Sequence, residues 1–318
     1  MTHMPKHGLP TVRPNALAHK TPEQRWLVEH RWADQAVGII GGEPKCGKSL
    51  LALDLAVGVA AAVPVLRRFA VNRAGPVLLF PAEDAAHIVR QRLIDIARAA
   101  GVDFDTLDIH LIDVPYLQID QPSVQERLLQ TVERIRPRLL ILDPFVRLHR
   151  VDENVAAEVA PILAGLRQLQ RTFNTAVVLV HHARKGAARA RGGQALRGSS
   201  ELHAWGDSNL YLRRTGERIL MSVEHRAAVS AEPVTLEINP DRGAVLSIVD
   251  ALPEPAPQRP SPEHRILQVL QAQPGPLNQR QLRELARLRA QTVSTTLARL
   301  IEQGRVVRTE AGYALNNT

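Results

Sequence analysis

The sequence predicts an α/β fold with a mostly parallel sheet, an antiparallel extension of that sheet, and a small C-terminal domain of helices and a hairpin. Three observations carry this. Short apolar runs at 36–40, 77–80, 139–142 and 176–180 alternate with helical periodicity at 50–62, 85–100, 123–136 and 155–172, as in parallel sheets covered on both faces. From 210 onward four strand-like runs, 210–212, 218–223, 234–238 and 244–248, are separated by Gly and Pro turns. A proline-rich stretch at 253–262 then marks a change in composition. The implied organisation is a leader at 1–20, an α/β domain at 21–250, a linker at 251–262 and a second domain at 263–318.

At 318 residues the chain has ample material for one large core and one small one. No apolar run approaches the ~18 residues of a membrane span, and the first thirty residues lack a continuous apolar stretch. A single cysteine, Cys46, excludes a disulfide framework and predicts a cytoplasmic setting. Forty basic residues against 32 acidic ones leave a net charge of +8, which favours a polyanionic partner such as nucleic acid.

The leader is polar and without periodicity, so it reads as flexible. Residues 21–32 read as a short helix whose Trp26 and Trp32 would pack near the first strand or around an adenine. That strand leads into Gly42, Glu43, Pro44, Lys45, Cys46, Gly47, Lys48 and Ser49, which fit G-x-x-x-x-G-K-[S/T]; the helix starting at Leu50 completes strand, loop and helix. Gly42 and Gly47 let backbone N–H groups turn inward around phosphate oxygens, and the helix N-terminus adds a favourable dipole. In such a loop Lys48 neutralises the β- and γ-phosphates of ATP and Ser49 holds Mg²⁺. Cys46, at a variable position of the loop, reads as simply tolerated there.

The second strand runs into Pro81-Ala82-Glu83-Asp84, at the sheet edge where open α/β folds bind ligands. Glu83 is the candidate base for the attacking water, and Asp84 the candidate cap of the helix that follows. A short strand at 109–114 precedes a helix with Leu128, Leu129, Val132 and Ile135 on one face. The next strand closes on Asp143, about 95 residues after Lys48, and delivers a carboxylate for Mg²⁺. The 176–180 strand ends in His181-His182. No second cluster with zinc-like spacing exists, so a neutral imidazole there would instead hydrogen-bond a γ-phosphate.

Residues 183–200 are Gly-rich and basic, with Arg184, Lys185, Arg189, Arg191 and Arg197 and no acid. That charge suits a phosphate backbone, with single-stranded DNA as the expected partner, and a solvated surface loop is the other reading. In the second domain helices at 262–272, 278–288 and 290–303 precede a hairpin at 305–315 with its turn at Ala311-Gly312, the outline of a winged helix-turn-helix. There Arg259, Arg265, Arg280, Arg283, Arg287, Arg289, Arg299, Arg305 and Arg308 outnumber Glu263, Glu284, Glu302 and Glu310. Gln291, Thr292, Ser294 and Thr295, at the start of the recognition helix, are candidates for duplex contacts; a protein-docking module is the other reading.

The motifs GEPKCGKS, PAED with its HIVRQRL helix, LLILDPFVRL, VVLVHHARKG and LRGSSEL resemble the RepA group of hexameric replicative helicases, from Trp26 to Ile248. The resemblance implies a RecA-like P-loop NTPase core with a mostly parallel sheet and antiparallel extension, ahead of the small C-terminal winged-helix domain. It implies Lys48 and Ser49 on phosphate and Mg²⁺, Glu83 as base, Asp143 as the Walker B carboxylate and His182 in the γ-phosphate sensor. Two stretches depart from the group. Ala204-Trp205-Gly206-Asp207 stands where an arginine is often placed, and Glu224-His225-Arg226 keeps only the arginine of a Lys-x-Arg pair. Arg197 and Arg226 are therefore both candidates for reaching a neighbouring subunit.

These readings imply an ATP-hydrolysing, ring-forming DNA motor, a homo-oligomer and perhaps a hexamer, with no membrane partner. An ATP-controlled DNA-binding regulator or replication-initiation accessory that does not translocate is the alternative. A recombinase-like strand-exchange protein is a third, without a separate polymerisation segment to support it.

Overall fold

The computed structural model describes residues 11–17, 19, 21, 23–182, 200–239, 243–249, 262–273, 275–286, 288–309 and 311–316. Met1–Pro253 form one compact unit and Glu254–Thr318 a second. In the first unit the order is β1 (Trp26–Val28), β2 (Trp32–Ala33), β3 (Val37–Gly42), α1 (Lys48–Ala61), β4 (Val77–Pro81) and α2 (Ala86–Ala100). There follow β5 (Ile109–Leu111), α3 (Pro122–Ile135), β6 (Leu139–Asp143), α4 (Ala156–Phe173) and β7 (Ala176–His182). The unit closes with α5 (Ser200–Trp205), β8 (Ser208–Thr215), β9 (Arg218–His225), β10 (Val234–Asn239) and β11 (Val245–Val249).

Nine strands form one sheet in the order β11-β10-β9-β8-β3-β7-β6-β4-β5. From β8 to β5 neighbouring strands run parallel, and β9, β10 and β11 continue the sheet antiparallel. Alternation along the strands divides the core in two. Ile40, Leu79, Ile141 and Val178 pack with α1 and α2 on one face. Ile39, Leu78, Leu140 and Val177 pack with Leu128, Ile162 and Leu166 of α3 and α4 on the other. Burial on both faces explains why these strands read as continuous apolar runs.

In this unit the sequence expectation fails in two places. The helix expected at 21–32 is cut to a single 3₁₀ turn at Glu23–Arg25; β1 and β2 follow and pair antiparallel through a turn in which His30 takes φ 54°. The Trp32 ring is fully buried, its Nε1 donates to the Ala36 carbonyl at 3.3 Å, and this burial against β3 outweighs local helical preference. Asp84 is not the cap: Ala85 is the N-cap of α2 and makes no side-chain cap bond, and the Asp84 carboxylate is paired with Arg92 of that helix. The four late strands pair antiparallel with one another as expected, and the first of them, β8, joins them to the parallel sheet alongside β3. The α5 segment before it is anchored by Trp205, whose Nε1 donates to the Leu163 carbonyl at 2.9 Å.

Residues 204–207, where the helicase group often carries an arginine, secure the start of β3 here. The Asp207 N–H donates to the Val37 carbonyl at 2.7 Å, the Val37 N–H donates to Asp207 Oδ2 at 3.3 Å, and Arg167 pairs with the same carboxylate. Strands β3 and β8 approach so closely that a Cβ on Gly38 would lie 1.7 Å from the Ser208 carbonyl oxygen. That neighbour is backbone and has little room to yield. Gly38→Ala is expected to destabilise this unit by about 3 kcal/mol or more, read as a lowered denaturation midpoint. An unchanged midpoint would mean that the two strands are not this close.

The second unit contains α6 (Pro262–Ala272), α7 (Gln279–Ala286), α8 (Ala290–Glu302), β12 (Val306–Thr309) and β13 (Gly312–Leu315). Ile266, Leu282, Val293, Leu297 and Leu300 form its buried centre. Asn278 starts α7 with a reciprocal pair of 2.9 Å bonds, its Oδ1 accepting from the Gln281 N–H while Gln281 Oε1 accepts from its own. Strands β12 and β13 pair from Val306↔Leu315 to Thr309↔Gly312, so Gly312, expected in the turn, opens β13 instead. Three helices and a two-stranded wing make this unit a winged helix.

Candidate nucleotide site

Register brings the candidate residues to one edge of the sheet. Gly42 lies opposite His182 at the ends of β3 and β7, and Pro81 opposite Asp143 at the ends of β4 and β6. The Ala82 N–H donates to the Asp143 carbonyl at 2.7 Å, which binds the Glu83 segment to the end of β6. A cavity of about 320 Å³ opens at this edge, lined by Lys48, Ser49, Glu83, Asp143 and His182 among others. Sequence candidates from widely separated parts of the chain thus share one space.

The loop owes its path to backbone geometry. Gly47, the N-cap of α1, sits at φ 83° and ψ 17°, a left-handed conformation that suits glycine. Lys45 also takes a positive φ, 62°; Pro44 and Lys45 are exposed and Glu43 and Leu50 partly buried. Lys48 is 5 % exposed, and its Nζ donates to the carbonyls of Gly42 at 3.1 Å and Glu43 at 2.8 Å. Burial lowers the Lys48 pKa, opposed by the Cys46, Asp143, Glu83 and Glu43 charges. Cys46 is fully buried, and burial raises its thiol, against the pull of Lys48. A buried thiol with a raised pKa is the less reactive kind.

Asp143 is pushed up to about 6, first by burial and further by the Asp84 and Glu83 charges, while a hydrogen bond from Ser49 and the Lys48 charge lower it. One buried cation and one partly buried carboxylate therefore both pay for their charge in a site that holds no direct ion pair between them. A triphosphate brings negative charge to Lys48 and a divalent cation brings positive charge to Asp143 and Ser49, so these residues fit both groups.

Period-two alternation separates the two histidines. His182 lines the cavity, whereas His181 is buried on the other face, with Nε2 4.0 Å from Glu153 Oε2 and its ring 6.1 Å from that of Phe145. Arg226, a candidate for reaching a neighbour, follows β9 at the sheet edge opposite the phosphate loop. It pairs with Asp207 at 3.5 Å and donates to the Ala204 carbonyl. Arg197 and the loop residues Arg184, Lys185, Arg189 and Arg191 lie outside the described residues.

Three arginines escaped the sequence reading. Arg92 of α2 lines the cavity and holds Asp84. Arg147, in the 3₁₀ turn after β6, donates through Nε to Glu83 Oε1 at 3.0 Å. Arg214 of β8 donates to the Lys45 carbonyl at 3.3 Å. Ile238 and Ala244 of the β10–β11 segment also line the cavity. Arg92 and Arg147 fall inside the HIVRQRL and LLILDPFVRL motifs, where no role was assigned to them, and the others lie in no motif.

In the second unit Gln291 and Thr295 are exposed and Thr292 is partly buried. Thr295 turns its hydroxyl back to donate to the Gln291 carbonyl at 3.0 Å. Arg289, Arg305 and Arg308 are exposed and stand without an ion pair among the described residues. Arg280 and Arg299 instead pair with Glu284 and Glu263. Arg259 and Arg287 lie outside the described residues.

A phosphate loop between a central strand and a buried helix, facing a carboxylate on a nearby parallel strand, defines a phosphate-loop nucleotide-binding protein. A family model described as an AAA domain matches residues 5–188, and one described as the MarR family matches residues 258–313. The chain belongs to the AAA-domain family and carries a MarR-family winged-helix domain. Its first unit has a RecA-like fold. It is similar to a solved structure described as an ATPase domain, with a TM-score of 0.54 and 15 % identity over 69 % of this chain and 86 % of that one. It is also similar to the RadB recombinase, with a TM-score of 0.50 and 16 % identity over 68 % of this chain and 92 % of that one. At such identities the likeness is one of fold. Membership of the AAA-domain family implies nucleotide binding. No helix among the described residues is long and apolar enough to cross a membrane, and no group of three or more His, Cys, Asp or Glu among them is placed to hold a metal ion.

Proposed function

We propose that this chain hydrolyses ATP to drive movement on DNA, as a ring-forming protein resembling the replicative helicases. The observation that carries this is the convergence of Lys48, Ser49, Glu83, Asp143 and His182 on one cavity at the carboxyl ends of the parallel strands. Lys48 and the inward N–H groups of the loop bind the β- and γ-phosphates. Ser49 and Asp143 would hold Mg²⁺, which neutralises phosphate charge when bound. Glu83 orients the attacking water and accepts its proton, and the His182 imidazole hydrogen-bonds the γ-phosphate. Strand β7 leads from His182 directly into the basic segment 183–199. Hydrolysis removes the phosphate that His182 holds, so the change has a short route to a DNA-binding segment.

The fold neighbours support an ATPase acting on DNA: one is described as an ATPase domain and the other as a recombinase. The winged helix supports a second reading, an ATP-controlled DNA-binding regulator that does not translocate. Its exposed Arg289, Arg305 and Arg308 suit a phosphate backbone, and Gln291, Thr292 and Thr295 are its candidates for base or backbone contacts.

Three measurements on the full chain separate the readings: solution mass with and without ATP, ATPase rate with and without single-stranded DNA, and unwinding of a forked duplex. The motor reading expects an oligomer, severalfold stimulation by single-stranded DNA, and unwinding. Hydrolysis indifferent to single-stranded DNA, without unwinding, would overturn it. Specific duplex binding with nucleotide only setting the oligomeric state would establish the regulator.

A further inference from the structure

Glu83 and Asp84 stand side by side at the end of β4, and each is held by a different arginine. Asp84 is taken by Arg92. Glu83 Oε1 accepts from Arg147 Nε at 3.0 Å, and Glu83 Oε2 has no partner among the described residues, so it is open to a water. Glu83 belongs to the lining of the cavity, and Arg147, which does not, holds its carboxylate.

The segment that presents Arg147 is firmly seated. Phe145 and Leu148, on either side of exposed Val146 and Arg147, are both fully buried. The Arg147 N–H donates to the Pro144 carbonyl at 3.1 Å, the Leu148 N–H to Phe145 at 2.9 Å, and the Ile119 N–H to Leu148 at 2.7 Å. The turn follows Asp143, whose partner in the sheet is Pro81. Glu83 lies two residues beyond that pair and Arg147 four, so both side chains project from the same clamped point.

Side chains this exposed, 62 % for Arg147 and 45 % for Glu83, lend the fold little through an ion pair. The pairing therefore needs a purpose other than stability. We infer that Arg147 is the positioning residue of the hydrolytic centre: it fixes the rotamer of Glu83 and aims its open oxygen at the attacking water. It also ties the aim of that carboxylate to the turn that follows Asp143. This inference rests on the reading of Glu83 as base, and Arg147 touches neither nucleotide nor water itself.

The test uses the full chain with Arg147→Ala and Arg147→Lys, each alone and combined with Glu83→Gln. Arg147→Ala is expected to lower kcat by about 10–100-fold, as misplaced catalytic groups do, with KM for ATP within about twofold. Arg147→Lys, which can keep the ion pair, should recover a measurable part of that loss. In the Glu83→Gln background Arg147→Ala should cause no further loss, because residues that act as a unit are not additive. Unchanged or raised kcat in Arg147→Ala, alongside an inactive Glu83→Gln, would overturn the inference and leave the base in place. An equal loss in both backgrounds would overturn it too, since Arg147 would then act independently of Glu83. An active Glu83→Gln would instead overturn the base reading. Nucleotide affinity and melting temperature of each variant guard against a folding defect, and Arg147→Lys keeps the test decisive if Arg147→Ala does not fold.

Discussion

Glu83→Gln is expected to reduce ATP turnover by about 10²–10⁴-fold while leaving ATP affinity within about threefold. The side chain sits at the end of β4, where the Ala82 N–H is bound to the Asp143 carbonyl, so its substitution need not disturb the sheet. Glutamine keeps the volume and still offers an oxygen to Arg147, but it cannot take the proton of the attacking water. Lys48, Ser49 and Asp143 remain, and with them the means of binding phosphate and Mg²⁺. Single-turnover hydrolysis and equilibrium nucleotide binding measure the two quantities separately. Turnover near that of the parent chain would show that the water is activated elsewhere.

Asp143→Asn is expected to act in opposite directions on stability and on catalysis. The folded-state pKa of about 6 lies above the ordinary 3.8, so between those values the folded chain keeps a proton that the unfolded chain has released. The advantage is full below about 4 and is lost as pH rises through 6. At neutral pH the ionised, partly buried carboxylate then costs the nucleotide-free chain about 1–3 kcal/mol, at roughly 1.4 kcal/mol per pKa unit. Asparagine can still accept the Ser49 hydrogen bond without charge, so the variant should melt about 2–8 °C higher at pH 8, and the difference should fade towards pH 4. Mg²⁺-dependent hydrolysis should fall by at least about a hundredfold. Thermal melts across pH on nucleotide-free protein decide the first part; a lower melting temperature at pH 8 would refute the account of Asp143 as a carboxylate held at a cost. In the parent chain, Mg²⁺-dependent ATP binding should weaken as pH falls through about 6.

The two expected effects have a common origin. A site that must accept a triphosphate and a divalent cation keeps its own charges buried and incompletely compensated until they arrive. Lys48 shows the same feature from the cationic side, its pKa lowered by burial and its ammonium held by two loop carbonyls. Ligand-free stability is thus partly given up at the residues that bind.

Much of this protein was determined by local sequence. Buried strands β3, β4, β6 and β7 are runs of Val, Ile and Leu long enough to identify without knowledge of their neighbours. The loop from Gly42 to Ser49 declares itself because phosphate binding demands glycine, lysine and a hydroxyl at fixed spacing. The same holds for the three helices and wing of the second unit, whose periodicity changes from helical to alternating at Arg305. Only the tertiary structure decided which distant residues meet. Trp32 left the expected helix because the β3 surface could bury its ring, and β8 joined parallel to β3 because Gly38 leaves room for the Ser208 carbonyl. Asp84 paired with Arg92, and Glu83 acquired Arg147 from 64 positions along the chain. The physical reason is one of range: spacing and periodicity record what a residue does to its neighbours within a few turns. An ion pair or a close approach between strands depends on register, set by the packing of the whole sheet.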